Sequence, residues 1–312
     1  MKTPMYVKAS DYIAYRKRLG YVYRVESYML RSFGKYADLN APGKPLSVKI
    51  AIEWASLPQG AKSYHAKRLS ALRPFARYLS ISDPKTEIIP VNVFGPSSSR
   101  SKPYIYSSDE ICRLINEKAY SNPQGIENYT FSTMVSLLSC TGMRIGEVLS
   151  LKRDGMDWEQ KVISVLWSKK LPIRFVPVDK TTILKLKDYE KCRDEAFPGS
   201  TCNTFFINSR GTKWSYSAFI NHWWQVVEKT NVGKDHAKRP RLHDLRHTFA
   251  CNFLLRAYKR KMDINIAIHL LSVYLGHSHI RDTYWYLSEI PELMRLCSNR
   301  FESYVDWVGG ES

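Results

Sequence analysis

Several features of common protein classes are missing from this sequence. Its longest apolar runs fall well short of the roughly 18 residues that a membrane-spanning helix needs. The first residues, MKTPMYVKASDY, contain no apolar core of a signal peptide, so the chain is expected to stay in the cytoplasm. The six cysteines are scattered without a C-x-x-C pair. Their spacing argues against a disulfide framework or a zinc ribbon and favours free thiols.

Acidic residues are scarce relative to basic ones. The chain has 47 Lys and Arg against 29 Asp and Glu, a formal net charge of +18 and a pI near 9.6. Such an excess favours a polyanionic partner, because each phosphate that a protein neutralises releases condensed counterions. No basic amphipathic anchor with a lipidation signal is present, so a membrane surface is not the expected partner. A basic protein that is merely soluble is the alternative.

The basic charge is densest at the N-terminus, where the pattern is helical. Residues 1–93 carry 16 basic and 6 acidic side chains, and apolar residues recur there at helical spacing. Residues 94–103, FGPSSSRSKP, have the composition of a linker, although an ordinary surface loop would look similar. Residues 104–312 are again mostly helical, with one β-patterned block, VISVLWSKKLPIRFVPV. The expected fold is therefore mainly α, with a basic helical domain and a second domain of mixed but mostly helical structure.

Several cations in the second domain stand beside helix or strand patterns. Arg144 follows Thr141-Gly142 at a helix start, and Glu147 shares its helical face three residues later. Lys169 and Lys170 stand in the β-patterned block. On spacing alone, Arg144 could be an ordinary exposed cation and either lysine a guard against strand pairing at a sheet edge.

The stretch LHDLRHTFA places two polar groups beside an apolar stripe. His243 and Arg246 lie on one side of the predicted helix, which fits either an anion site or a salt-bridged core pair. His243 and His247 also have a spacing that can bind a metal. However, Asp244 replaces the usual glutamate and no third ligand emerges, so neither a metal nor another cofactor is expected. Further on, LGH ends at His277, and nearby tyrosines would normally be core residues.

Taken together, these motifs resemble the tyrosine recombinase family, also called phage integrases. The family pattern is an arginine after T-G, a lysine on a hairpin, H-x-x-R, L-G-H and a tyrosine some nine residues later. All six positions are filled in order, and the resemblance covers about residues 104–300. The catalytic residues implied by the resemblance are Arg144, Lys169, His243, Arg246, His277 and Tyr286.

The resemblance implies a SAM-like core-binding domain over residues 1–93 and a catalytic domain over 104–312 with a small antiparallel sheet. The activity implied is cleavage and rejoining of DNA strands through a 3′-phosphotyrosyl intermediate, without metal or ATP. Glu147 would orient Arg144. Lys170 is the alternative to Lys169, and Tyr284 the alternative to Tyr286. His247 and His279 are interpreted as supporting or surface residues.

The partner implied is double-stranded DNA, bound by a homotetramer that holds two sites at the nucleoid. An amphipathic helix is predicted after Tyr286, with Leu293 and Leu296 on its apolar face, and would pack on a neighbouring subunit or on its own core. Partner recombinases and accessory DNA-bending proteins are further possible partners under this hypothesis. The expected role is in a mobile element. The alternatives are a type IB topoisomerase and a DNA-binding protein without catalysis.

Overall fold

The computed structural model describes residues 3–95, 102–117, 126–165, 174–237, 239–287 and Arg295. The chain folds as two compact units, residues 1–101 and residues 102–312. Lys169, Lys170, the predicted helix after Tyr286 and most of the predicted linker lie outside the described residues.

Unit 1, in its described residues 3–95, consists of helices packed on an aromatic core. These helices are α1 (Met5–Arg18), α2 (Arg24–Asn40), α3 (Val48–Ser56) and α4 (Lys62–Ser82). Phe33, Trp54 and Phe75 are almost completely buried, because apolar side chains recur at helical spacing in α2, α3 and α4. Gly34 allows α1 and α2 to pack closely, since a Cβ atom there would lie 2.6 Å from the Cα of Tyr6.

Unit 2 is also mostly helical. Its described helices are α5 (Ser108–Asn116), α6 (Ile126–Thr141), α7 (Ile145–Leu149), α8 (Lys180–Ala196), α9 (Tyr216–Thr230), α10 (Asp244–Lys259), α11 (Ile264–Leu275) and α12 (Arg281–Tyr284). Helix α6 packs against α5, α8 and α10, and its Phe131, Val135 and Leu138 are buried. This central position brings the end of α6 next to α10.

A small antiparallel sheet completes unit 2. Its strands β1 (Met156–Asp157), β2 (Val162–Val165) and β3 (Arg174–Pro177) lie in that order. Ile163 pairs with Val176, and both side chains are buried. The predicted mainly α fold with a small antiparallel sheet is confirmed. Strand β1 was not predicted, because two residues are too few to show an alternating pattern.

The ends of the helices follow their capping residues. Ser107 caps α5: its side chain accepts from the amide of Glu110, whose carboxylate accepts from the amide of Ser107. Helix α1 begins at Met5, and the Asp38 carboxylate accepts hydrogen bonds from the amides of Met5 and Tyr6. Across the described residues, we find no helix with the length and apolar character needed to cross a membrane.

Candidate active site

Gly142 shapes the turn that leads from α6 to Arg144. Its φ is +62°, a conformation that glycine adopts at little cost, and a Cβ atom there would lie 2.6 Å from Cδ1 of Phe249. The turn leaves the carbonyl of Gly142 free to accept a hydrogen bond from Arg246 of α10 at 2.8 Å. Two motifs about a hundred residues apart in sequence are thus joined directly.

Glu147 lies between two arginines in the interior of the site. The residue is 7% exposed. One carboxylate oxygen accepts from Nη1 of Arg144 at 3.0 Å. The other accepts from the Arg144 amide at 2.9 Å and from Nη2 of Arg174 at 2.5 Å. The carboxylate therefore fixes both the backbone and the guanidinium of Arg144.

Arg246 is the most deeply buried cation of the site, with 2% of its surface exposed. Besides Gly142, its guanidinium donates to the carbonyl of Leu275 at 2.8 Å. Desolvation, with a further contribution from the charge of Arg144, lowers the pKa of Arg246 to about 10. The guanidinium therefore stays charged at neutral pH, and it has several N–H donors in a planar fork.

Tyr286 lies close to this cationic group. It is 3% exposed, and Arg246 is near enough to act on the pKa of its phenol. Burial raises the pKa of its phenol, and the charge of Arg246 partly opposes that shift. Tyr284, the alternative nucleophile, is 44% exposed. Of the two tyrosines, the structure brings only Tyr286 to the arginines.

Histidine rings surround the tyrosine. The ring of His277 is stacked on that of Tyr286, with centroids 6.2 Å apart and planes at 22°. Nδ1 of His277 lies 2.8 Å from the buried hydroxyl of Thr283. His243 stands just before α10, with its ring centroid 4.9 Å from that of His247. Five of the six predicted catalytic residues thus lie in the described part of this site, and Lys169 lies outside it.

The surroundings lower the pKa of His243. Loss of water around the ring is the main cause, and the charge of Arg246 adds to it. The pKa of His247 falls to about 3, again mainly through desolvation. Both rings are therefore neutral at pH 7. A neutral imidazole is able to accept a proton, as a general base must.

Two residues of the site carried no functional prediction. Arg174 carried no prediction from the sequence, yet it pairs with Glu147. His247 was interpreted as a supporting or surface residue. Its ring lies 5.2 Å from Trp285 and 5.4 Å from Tyr286, between centroids. The signals for His247 in the sequence were its place directly after Arg246 and its spacing of four residues from His243. In the described part of the chain, no three His, Cys, Asp or Glu side chains are grouped to hold a metal ion.

A mostly helical unit in which arginines and histidines gather around a buried tyrosine defines the tyrosine recombinase class. The model of the phage integrase family matches residues 106–292 of this chain. The chain therefore belongs to the phage integrase family and is a tyrosine-type site-specific recombinase.

Curated relatives agree with this assignment. The putative integrase/recombinase y4rB of Sinorhizobium fredii is 31% identical over 300 residues, covering 94% of this chain and 95% of the relative. Tyrosine recombinase XerD of Chlorobaculum tepidum is 27% identical over 222 residues, covering 71% and 69%.

Solved structures of low sequence identity share the fold. The Tn1549 transposon integrase in complex with circular intermediate DNA has a TM-score of 0.68 at 20% identity and covers 96% of this chain and 100% of its own. The XerH recombinase bound to palindromic difH substrate has a TM-score of 0.67 at 17% identity, covering 89% and 79%. At these identities the likeness establishes the fold alone.

Proposed function

We propose that this recombinase cleaves and rejoins DNA through a 3′-phosphotyrosyl link to Tyr286, without metal or ATP, in the service of a mobile element. The observation that carries the proposal is the buried phenol of Tyr286, which feels the charges of Arg246 and Arg144 and lies against the rings of His247 and His277. A phosphotyrosyl ester conserves the energy of the broken bond, so no external energy source is needed for rejoining. The mobile-element role draws on the similarity to the putative integrase/recombinase y4rB.

In the first step, the phenol oxygen of Tyr286 attacks the scissile phosphorus, and His243 accepts the phenol proton. The bond from phosphorus to the 5′ oxygen breaks, and Lys169, or Lys170 in its place, protonates that oxygen. The products are a 3′-phosphotyrosyl ester and a free 5′ hydroxyl. A 5′ hydroxyl from a second duplex then attacks the ester, and the same proton transfers run in reverse.

The arginines stabilise the charge that develops on the phosphate. Arg144 and Arg246 hold the non-bridging oxygens of the pentacoordinate transition state, and His277 adds a further hydrogen bond. The guanidinium of Arg246 donates to two carbonyls and retains further N–H groups for a phosphate. Fixed positive charge thus fulfils the role of a Lewis acid.

DNA is held by both units in this proposal. Residues 1–93 carry a net charge of +10. A cleft of about 730 Å³ in unit 1 is lined by basic and aromatic side chains, among them Lys17, Arg24, Tyr28, Arg31 and Lys35. Such side chains suit contacts to the phosphate backbone, which position a duplex without reading its sequence. The substrate would place the protein at the nucleoid.

Four copies on two duplexes form the proposed assembly. An apolar groove between β3 and α11 supports it, since Phe175, Leu270 and Val273 on its wall are all at least half exposed. Apolar side chains that are exposed together along a groove suit a protein interface. A second copy that covers the groove would join neighbouring subunits.

The experiment that tests the chemistry uses a nicked suicide substrate carrying the recombination site, which is first identified at the ends of the element in its genome. Incubation in EDTA should give a covalent protein–DNA adduct. The released end should be a 5′ hydroxyl that polynucleotide kinase can label directly, while the 3′ end stays blocked by protein. A free 3′ hydroxyl, or cleavage only when metal is added, would contradict the proposal.

The depressed pKa of His243 predicts the acid limb of the pH profile. A base accepts a proton only when it is neutral, and desolvation lowers the pKa of this ring below its ordinary 6.5. We therefore expect the cleavage rate at subsaturating protein to keep more than half of its plateau value at pH 6.5 and to reach half only at a lower pH. Rates measured from pH 5 to 8, with DNA binding measured at each pH, check this. A loss of rate already between pH 8 and 7 at constant binding would argue against His243 as the base.

A further inference from the structure

The arginines of the site donate hydrogen bonds to the C-terminal end of α11. The last carbonyls of a helix lack partners within it, and they carry the negative end of the helix dipole. Here three successive carbonyls each accept a hydrogen bond from a different guanidinium. The pairs are Arg174 with Tyr274, Arg246 with Leu275 at 2.8 Å, and Arg144 with Gly276 at 3.4 Å.

Arg174 differs from the other two arginines in what surrounds it. Its side chain is 8% exposed, whereas that of Arg144 is 32% exposed. One end of its guanidinium donates to the carbonyl of Tyr274, and the other end pairs with Glu147 at 2.5 Å. The remaining oxygen of that carboxylate holds Nη1 of Arg144. Arg174 is thus connected to Arg144 along two routes, through Glu147 and through the end of α11.

We infer that Arg174 is a positioning residue, which fixes the guanidinium of Arg144 for binding of the scissile phosphate. Without Arg174, the Glu147 carboxylate keeps Arg144 as a partner but loses its own anchor on β3. The end of α11 loses one of its three tethers, and that end leads directly to His277. This inference rests on the proposed function, because it assigns to Arg144 the role of a phosphate ligand.

The competing explanation is an ion pair that only stabilises unit 2. Breaking a buried pair is destabilising in either case, because a charge is left without its partner. Stability alone therefore cannot separate the two explanations. A positioning role predicts in addition that the effect on catalysis passes through Glu147, so the losses from changing both residues should not multiply.

The test measures single-turnover cleavage of the suicide substrate at saturating protein, together with DNA affinity and thermal unfolding. Arg174→Met should lower the cleavage rate by about 10- to 100-fold, as with loss of other residues that orient active-site groups. DNA affinity should stay within about twofold, because the buried guanidinium has little surface to offer a duplex. When Arg174→Met is added to Glu147→Gln, the cleavage rate should fall by less than about threefold relative to Glu147→Gln alone.

Arg193→Met is the matched control, since Arg193 is a fully buried arginine of unit 2 that donates to the carbonyl of Cys202 at 2.7 Å. It should lose stability yet cleave at the wild-type rate below its melting temperature.

If Arg174→Met does not fold, Arg174→Lys replaces it. One ammonium cannot span both partners, so the rate should still fall about tenfold. A rate for Arg174→Met or Arg174→Lys equal to that of Arg193→Met, or losses that multiply with Glu147→Gln, would overturn the inference. Absence of any adduct with the wild-type chain would instead overturn the proposed function.

Discussion

Replacing Tyr286 with phenylalanine should abolish the covalent protein–DNA adduct. The change removes only the oxygen that attacks phosphorus and keeps a ring that is 3% exposed and packed against His247 and His277. Removal of a catalytic nucleophile lowers a rate by about 10⁴-fold or more, so no adduct should be visible on a denaturing gel. DNA affinity should remain within about twofold of wild type.

Tyr284→Phe is the matched control for this experiment. Tyr284 lies two residues away, is 44% exposed and would lose the same single oxygen. It should form adduct at close to the wild-type rate. If Tyr284→Phe abolished the adduct while Tyr286→Phe retained it, the nucleophile would be Tyr284, and the buried phenol beside Arg246 would have a structural role.

Local structure was largely predictable from the sequence, because it depends on neighbouring residues. Apolar residues at helical spacing predicted helices in residues 1–93, and there Leu69, Leu72, Phe75 and Leu79 lie on the buried face of α4. The β-patterned block likewise contains β2 and β3, paired antiparallel. The order of the motifs also identified the family, since the set of spacings is much more specific than any one of them.

The contacts that hold the arginines in place could not be predicted in this way. The pairing of Glu147 with Arg174 joins α7 to β3, and the bonds from Arg144 and Arg246 to the end of α11 depend on how four elements pack. Carbonyl acceptors are invisible in a sequence, because every residue has one. The ring contacts of His247 have the same origin, since the spacing on α10 does not show which residues of α12 and beyond will lie against it.

Replacing Arg144 or Arg246 with lysine should give the second large effect on the cleavage rate. Arg144→Lys and Arg246→Lys should each lower the cleavage rate by about 10²- to 10³-fold, because a single ammonium does not reproduce bidentate contact with phosphate oxygens. The two variants should differ in thermal stability. Arg246 is 2% exposed, and its guanidinium bridges Gly142 to Leu275, which a lysine cannot do.

Arg246→Lys should therefore also cost about 1–3 kcal/mol of unfolding free energy, because buried carbonyls lose their donors. In a unit of this size each kcal/mol corresponds to a fall of about 2–4 °C in Tm. Arg144→Lys should lower Tm by less, since its side chain is 32% exposed, its bond to the carbonyl of Gly276 is longer at 3.4 Å, and a lysine can still pair with Glu147. Equal Tm values for the two variants would mean that the carbonyl bonds of Arg246 contribute nothing to stability. A wild-type cleavage rate in Arg246→Lys would remove this arginine from the phosphate site, because charge without the planar fork would then suffice.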